Sequence, residues 1–203
     1  MKILCVGRNY ADHAKELGNQ VPDEPVIFLK PKNSLLPPGN NLFYPAFTNE
    51  LHYECELVVK INKNGKFIPA YRAHSYYEEI SLGIDFTARD IQDKLKKKGL
   101  PWEKAKAFDS SAAVGTFVNL ADMPNPKDIH FQLFKNSELV QDGHTRDMLF
   151  NIDAIIADIT QYFSLNIGDL IFTGTPPGVG ECVISDRLEG FLEGQKLLEL
   201  TIE

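Results

Sequence analysis

Two glutamates separated by a single residue, Glu54-Cys55-Glu56, are the first feature of this sequence whose spacing carries chemistry. On an extended strand, residues two apart share a face, so both carboxylates emerge side by side while Cys55 points the other way. Two such charges about 4 Å apart repel by roughly 4 kcal/mol at an effective dielectric near 20. Solvent on an exposed strand face relieves that repulsion, and so does a bound cation. The residues that follow, Leu57-Val58-Val59-Lys60-Ile61, are too apolar for a freely exposed edge, which favours the cation. A third carboxylate, Asp85, closes the run Ile80-Ser81-Leu82-Gly83-Ile84, where strand gives way to helix. Three oxygen donors without clustered His or Cys suit a hard ion, with positions left for water and a chelating ligand.

His13 and Glu16 are a second constellation. Three apart on a predicted helix, their side chains can meet, and the carboxylate can orient the imidazole and raise its basicity. The same spacing also describes a surface pair worth roughly 0.2–0.5 kcal/mol. Lys106 lies in Trp102-Glu103-Lys104-Ala105-Lys106-Ala107-Phe108, where alternation would put Lys104, Lys106 and Phe108 on one face. A lysine beside an aromatic residue there snorkels to solvent. The glycine-rich Thr173-Gly174-Thr175-Pro176-Pro177-Gly178-Val179-Gly180 lacks the ending of a P-loop and the spacing of a dinucleotide fold. It reads as a tight turn at a strand end, lending backbone groups and Thr175 to a pocket. His52, His74, His130 and His144 stand apart and read as structural. Cys5, Cys55 and Cys182 form neither a disulfide framework nor a zinc pattern and read as reduced thiols.

The elements that must position these groups are mostly short strands. Residues 2–6, 26–29, 52–62, 80–86, 129–134 and 170–173 read as strands, and Leu198, Leu200 and Ile202 alternate in a last one. Lys135-Asn136-Ser137 turns 129–134 into a hairpin with 138–141, and 35–44, with Pro37-Pro38-Gly39-Asn40, reads as a loop. Helices are predicted over Tyr10 to Leu17, stopped by Gly18-Asn19, and from about Ala88 to Lys98, stopped by Gly99 and Pro101. Ile152, Ile155, Ile156, Ile159 and Phe163 mark a third, amphipathic helix. Lys96-Lys97-Lys98 reads as a solvated helix terminus complementing the negative helix end. Many strands with about three helices and no regular βαβ alternation give an α+β fold.

With 203 residues, 43% hydrophobic and 24% charged, the chain suits one domain, 1–203. Its net charge of −7 argues against a nucleic-acid partner, since no excess of cations faces the phosphates. No run resembles a signal core or a membrane span, and a cytoplasmic setting is expected.

Taken together, Gly7-Arg8-Asn9-Tyr10-Ala11-Asp12-His13, Phe28-Leu29-Lys30-Pro31, Glu54-Cys55-Glu56-Leu57, Gly83-Ile84-Asp85-Phe86-Thr87-Ala88-Arg89-Asp90-Ile91-Gln92, Lys98-Gly99-Leu100-Pro101-Trp102 and Thr173-Gly174-Thr175-Pro176 resemble the fumarylacetoacetate hydrolase family, in its small acylpyruvase and oxaloacetate decarboxylase branch. The resemblance implies layered, rolled β-sheets, a homodimer, and Mg²⁺ or Mn²⁺ on Glu54, Glu56 and Asp85, with no organic cofactor. It places His13 and Glu16 on a lid within residues 10–24, Lys106 beside the substrate, and Arg8, Lys30, Arg89, Gln92 and Thr175 near the pocket. The implied activity is cleavage of acylpyruvates, small 2-oxo acids, to pyruvate and a carboxylic acid, with decarboxylation of oxaloacetate through the same enolate. Isomerase, decarboxylase or hydratase action on ring-cleavage products is the alternative within the family. A non-catalytic protein that binds metal and a dicarboxylate is the alternative outside catalysis.

Overall fold

The apolar N-terminal run anchors the largest sheet. The computed structural model describes residues 1–11 and 21–203. In it β1 (Ile3–Gly7) pairs antiparallel with β2 (Val26–Lys30) and parallel with β11 (Leu170–Phe172). The sheet continues through β4 (Cys55–Ile61) and β5 (Tyr77–Asp85) to β7 (Ala112–Val114), and β8 (Val118–Asn119) also pairs with β5. Alternate residues leave opposite faces, and both faces are covered. Leu4, Val6, Leu57, Val59 and Leu82 join the main core, whereas Ile3, Cys5, Val58 and Phe172 form a second cluster. That double burial is why these strands are nearly continuous apolar runs.

A second, antiparallel sheet runs β10 (Glu138–His144), β9 (His130–Lys135), β13 (Arg187–Leu192), β14 (Gln195–Thr201). Its hairpins turn on Asn136-Ser137 and Glu193-Gly194, all four at positive φ, the two-residue geometry that matches strand twist. A third sheet runs β12 (Gly180–Cys182), β3 (Leu51–Tyr53), β6 (Thr87–Ala88). Among the described residues the α-helices are α1 (Ala70–Ala73), α2 (Arg89–Lys97), α3 (Glu103–Lys106) and α4 (Ile152–Tyr162). Helix α4 starts on Asn151, whose side chain accepts the Ala154 N–H at 2.9 Å. Helix α2 ends with Gly99 at φ +62 and paired bonds from Gly99 N to Lys96 O and Leu100 N to Leu95 O. The architecture is α+β with mixed sheets, as the sequence implies.

Two expectations are corrected. The single strand expected over 52–62 is broken at Glu54: β3 belongs to the small sheet and β4 to the large one. Pairing with β12 and β6 on one side of the break, and with β5 and β11 on the other, pulls the chain from sheet to sheet. The alternating segment 102–108 is instead a helical turn, α3, with Lys106 as its last residue. The helix and lid expected within residues 10–24 fall largely on 12–20, outside the described residues, as do His13 and Glu16. Among the described residues, no helix is long and apolar enough to cross a membrane.

Candidate active site

The break between β3 and β4 leaves Glu54 at the seam of two sheets and Glu56 one step into the larger one. Asp85, the last residue of β5, closes the triangle; its N–H donates to the Glu54 carbonyl at 2.9 Å. One oxygen from each of Glu54, Glu56 and Asp85 lies within 4.8 Å of the others, and all three residues are buried. The carboxylates therefore converge, although not from one uninterrupted strand face.

Each carboxylate has its own support. Gly174 donates its N–H to Glu56 Oε2 at 2.7 Å. That residue must be glycine, because its φ is +98 and an added Cβ would lie 2.6 Å from Asn9 Cβ. Glu54 Oε1 accepts from Arg89 at 2.5 Å and from Thr87 Oγ1 at 3.3 Å. Lys106 Nζ reaches Glu54 Oε2 at 2.9 Å and Asp85 Oδ2 at 2.7 Å, under the Phe28 ring. Burial, with Asp85 and then Glu54 nearby, pushes the Glu56 carboxyl well above the usual carboxylate range. Burial alone would lower the Lys106 pKa, but Asp85 and Glu54 outweigh it and hold the ammonium charged. Lysine 106 is 3% exposed, so the snorkelling expected of it is corrected: these carboxylates draw its head inward.

A narrow cleft of about 40 Å³ opens over the cluster. Its walls include Glu54, Glu56, Asp85 and Lys106, together with Arg8, Arg89, Gln92 and Thr175, so eight of the residues singled out from sequence meet in one place. Lys30 does not line it. Its ammonium is buried behind Asp85, 2.7 Å from Oδ1, and bonds the Lys106 carbonyl and both Ser111 oxygens. Lys96, read from sequence as part of a solvated terminus, does line the cleft. Arg89, Gln92 and Lys96 fall at i, i+3 and i+7 and so share one face of α2, a signal present in the sequence and hidden by the lysine run. Phe28 and Trp102, which also wall the cleft, were not singled out. His52 keeps its structural reading: Arg89 Nε lies 3.4 Å from its Nδ1, and burial, then Arg89, pushes its pKa down to about 4. A larger groove of about 670 Å³ beside Leu35 and Phe117 holds no such cluster, so volume does not mark the chemistry.

The donor set fits a hard divalent cation. Among the described residues, three buried carboxylates are gathered with no sulfur or imidazole donor, and Asp85 Oδ1 makes no hydrogen bond, its contact being the ion pair with Lys30. Lys106 already bridges two of the carboxylates as a cation would.

Buried acidic triad, buried ammonium and layered mixed sheets together define a small catalytic domain of a recognisable class. The family described as fumarylacetoacetate (FAA) hydrolase C-terminal matches residues 2–203, and the chain belongs to that family. It is similar to the mitochondrial oxaloacetate tautomerase FAHD1 of Rattus norvegicus, 43% identical over 99% of this chain and 91% of the relative. The fumarylpyruvate hydrolase of Pseudomonas aeruginosa, solved with Mn²⁺ and pyruvate, superposes with a TM-score of 0.93 at 34% identity, over 100% of this chain and 89% of that one. A 5-carboxymethyl-2-hydroxymuconate delta-isomerase from Mycobacterium smegmatis gives a TM-score of 0.86 at 33% identity, over 99% and 78%.

Proposed function

We propose that this chain is a divalent-metal-dependent enzyme that stabilises the enolate of a small 2-oxo acid, with oxaloacetate keto–enol interconversion as its first activity. The observation that carries the reading is the buried Lys106 ammonium set among Glu54, Glu56 and Asp85 at the floor of one cleft. Glu54, Glu56 and Asp85 would hold Mg²⁺ or Mn²⁺, which when bound supplies Lewis-acid stabilisation of negative charge on oxygen. Arg8, Arg89 and Gln92 orient the substrate carboxylate, and the Lys106 ammonium donates to the oxygen on which charge develops. Phe28 and Trp102 restrict water on one wall. Tautomerisation moves one proton from C3 to the C2 oxygen, and the His13–Glu16 pair is the base for it. The name of the rat relative supports putting this reaction first, whereas the sequence puts hydrolysis first.

Acylpyruvate cleavage is the second reading, supported by the likeness to a fumarylpyruvate hydrolase. There the His13–Glu16 pair takes a proton from the water attacking C4, and the C3–C4 electrons pass into the same enolate. The hydroxymuconate isomerase likeness keeps isomerisation of ring-cleavage products as the remaining alternative. The homodimer implied by resemblance is part of the proposal. A cytoplasmic setting is too, although the mammalian relatives carry a mitochondrial label.

The test follows the ultraviolet enol band of oxaloacetate with Mn²⁺, and pyruvate release from acetylpyruvate and fumarylpyruvate. Faster enol equilibration that chelation removes supports the first reading. Pyruvate release without it transfers the assignment to the hydrolase, and neither activity on any of the three substrates sinks both.

A further inference from the structure

Strand β10 carries one residue more than its partner. Leu139 pairs with Phe134 and Gln141 with Leu133, leaving Val140 as a bulge. A bulge re-aims the side chain beside it, and here Gln141 turns inward to 1% exposure while Asp142 stays exposed. The Gln141 side chain crosses from the four-stranded sheet to the seam between β3 and β4. Its Oε1 accepts the Cys55 N–H at 2.8 Å. Its Nε2 donates to Thr175 Oγ1 at 2.8 Å and to the Pro176 carbonyl at 3.0 Å. The Thr175 hydroxyl in turn donates to the Cys55 carbonyl at 2.7 Å.

Cys55 is the residue between Glu54 and Glu56, and among the described residues no strand pairs with it on this side. Pairing of β11 with β4 ends at Phe172 opposite Val58, and Thr173 N–H still reaches Leu57 O at 3.1 Å. Continuing that register puts Gly174 opposite Glu56 and Thr175 opposite Cys55. At those two steps the backbone ladder is replaced by side chains and by the Gly174–Glu56 bond. The bulge and the loop press together: Gly178 has φ +97, and a Cβ there would lie 2.1 Å from the Val140 carbonyl.

We propose that Gln141 is a positioning residue for the metal seat: by clamping the Cys55 peptide to Thr175 and Pro176, it sets the spacing of the Glu54 and Glu56 carboxylates. The inference rests on the metal reading of Glu54, Glu56 and Asp85. Gln141 is not among the residues lining the cleft, so it acts through Cys55 and Thr175. Release of the clamp lets the Cys55 peptide rotate, which moves its two flanking residues in different directions and separates their carboxylates. An amide with both N–H donors and its carbonyl in use is also more than simple filling of the core requires.

The test is Mn²⁺ titration of folded protein, reading the free Mn²⁺ electron paramagnetic resonance signal well below each variant's Tm. Gln141→Met keeps the length and loses every hydrogen bond. Thr160→Ala is the control for lost stability, since that buried hydroxyl on α4 accepts the Ile68 N–H and does not line the cleft. Loss of a partner that orients metal ligands weakens binding by ~10–100-fold, and that loss is expected for Gln141→Met with Thr160→Ala binding as wild type. A lowered Tm with wild-type Mn²⁺ affinity in Gln141→Met overturns the proposal. Should Gln141→Met not fold, the isosteric Thr175→Val releases the clamp from its other end, and unaltered affinity there overturns it equally. Wild-type protein that takes up no Mn²⁺ at all overturns the metal reading itself, a result separate from either of these.

Discussion

Lys30 and Lys106 hold Asp85 by its two different oxygens, each ammonium 2.7 Å away, Lys30 at Oδ1 and Lys106 at Oδ2. Lys30 also donates to the Lys106 carbonyl, which ties the two lysines to each other. With Arg89 on Glu54, three buried cations stand against three buried carboxylates. The protein thus stores the cluster as a nearly neutral ion network.

Removing Lys106 alone should therefore act in opposite directions on binding and on turnover. Lys106→Met leaves Glu54 and Asp85 short of a cation, so Mn²⁺ should bind more tightly, by ~10-fold if about 1.4 kcal/mol of repulsion is left for the ion to relieve. Turnover should fall by ~10²–10³-fold, because a donor to the developing charge is gone. Weaker Mn²⁺ binding in this variant would show that Lys106 supports the ion instead of occupying its place.

Lys30 gives a different outcome. It lies behind Asp85, so Lys30→Met should cost about 3–5 kcal/mol of stability by leaving that buried carboxylate with only one of its two cations, Lys106. Urea unfolding reads this directly. A drop below about 1 kcal/mol accompanied by a raised KM would instead return Lys30 to the substrate contacts that resemblance suggests.

His13 separates the reactions. His13→Ala should lose acylpyruvate cleavage by the ~10²–10⁴-fold typical of an absent general base. Oxaloacetate decarboxylation needs neither an attacking water nor proton abstraction, and should fall far less. Equal losses in kcat for the two substrates would make His13 a binding or closure residue.

At the far end of the same sheet, Asp169 ties the turn before β11 to the start of β1. Burial opposes its charge, but hydrogen bonds from the Lys2 side chain and backbone and from the Asn166 N–H outweigh that and hold its carboxyl below the ordinary 3.8. A depressed pKa gives stability that is full above the unfolded value and lost as pH falls through the folded one. Asp169→Asn should accordingly cost about 1–3 kcal/mol near neutral pH. That difference should shrink as pH falls through the ordinary 3.8 and below it, where the wild-type group protonates. A difference independent of pH over that range would mean the charge contributes nothing.

Where local pattern decides the structure, the sequence was readable. Helix α4 announces itself through the isoleucine spacing, and α2 ends where Gly99 permits a left-handed residue. The break at Glu54 was not readable, because β6 and β12, which capture β3, come from 87–88 and 180–182, far along the chain. Helix α3 is too short for its period to be told from alternation, so the direction of Lys106 was misread. Gln141 looks like an ordinary strand residue unless the bulge at Val140 is known, and bulges depend on the partner strand.

The central claim is that Glu54, Glu56 and Asp85 seat the divalent cation that 2-oxo acid chemistry here requires. Calorimetric titration of chelator-treated protein with Mn²⁺, followed by the oxaloacetate enol assay on the same samples, tests it most directly. Wild type should bind one ion per chain and regain activity in proportion, while Glu56→Ala, still folded, should do neither. Full activity in wild-type protein after exhaustive chelation, with no Mn²⁺ uptake, would contradict it.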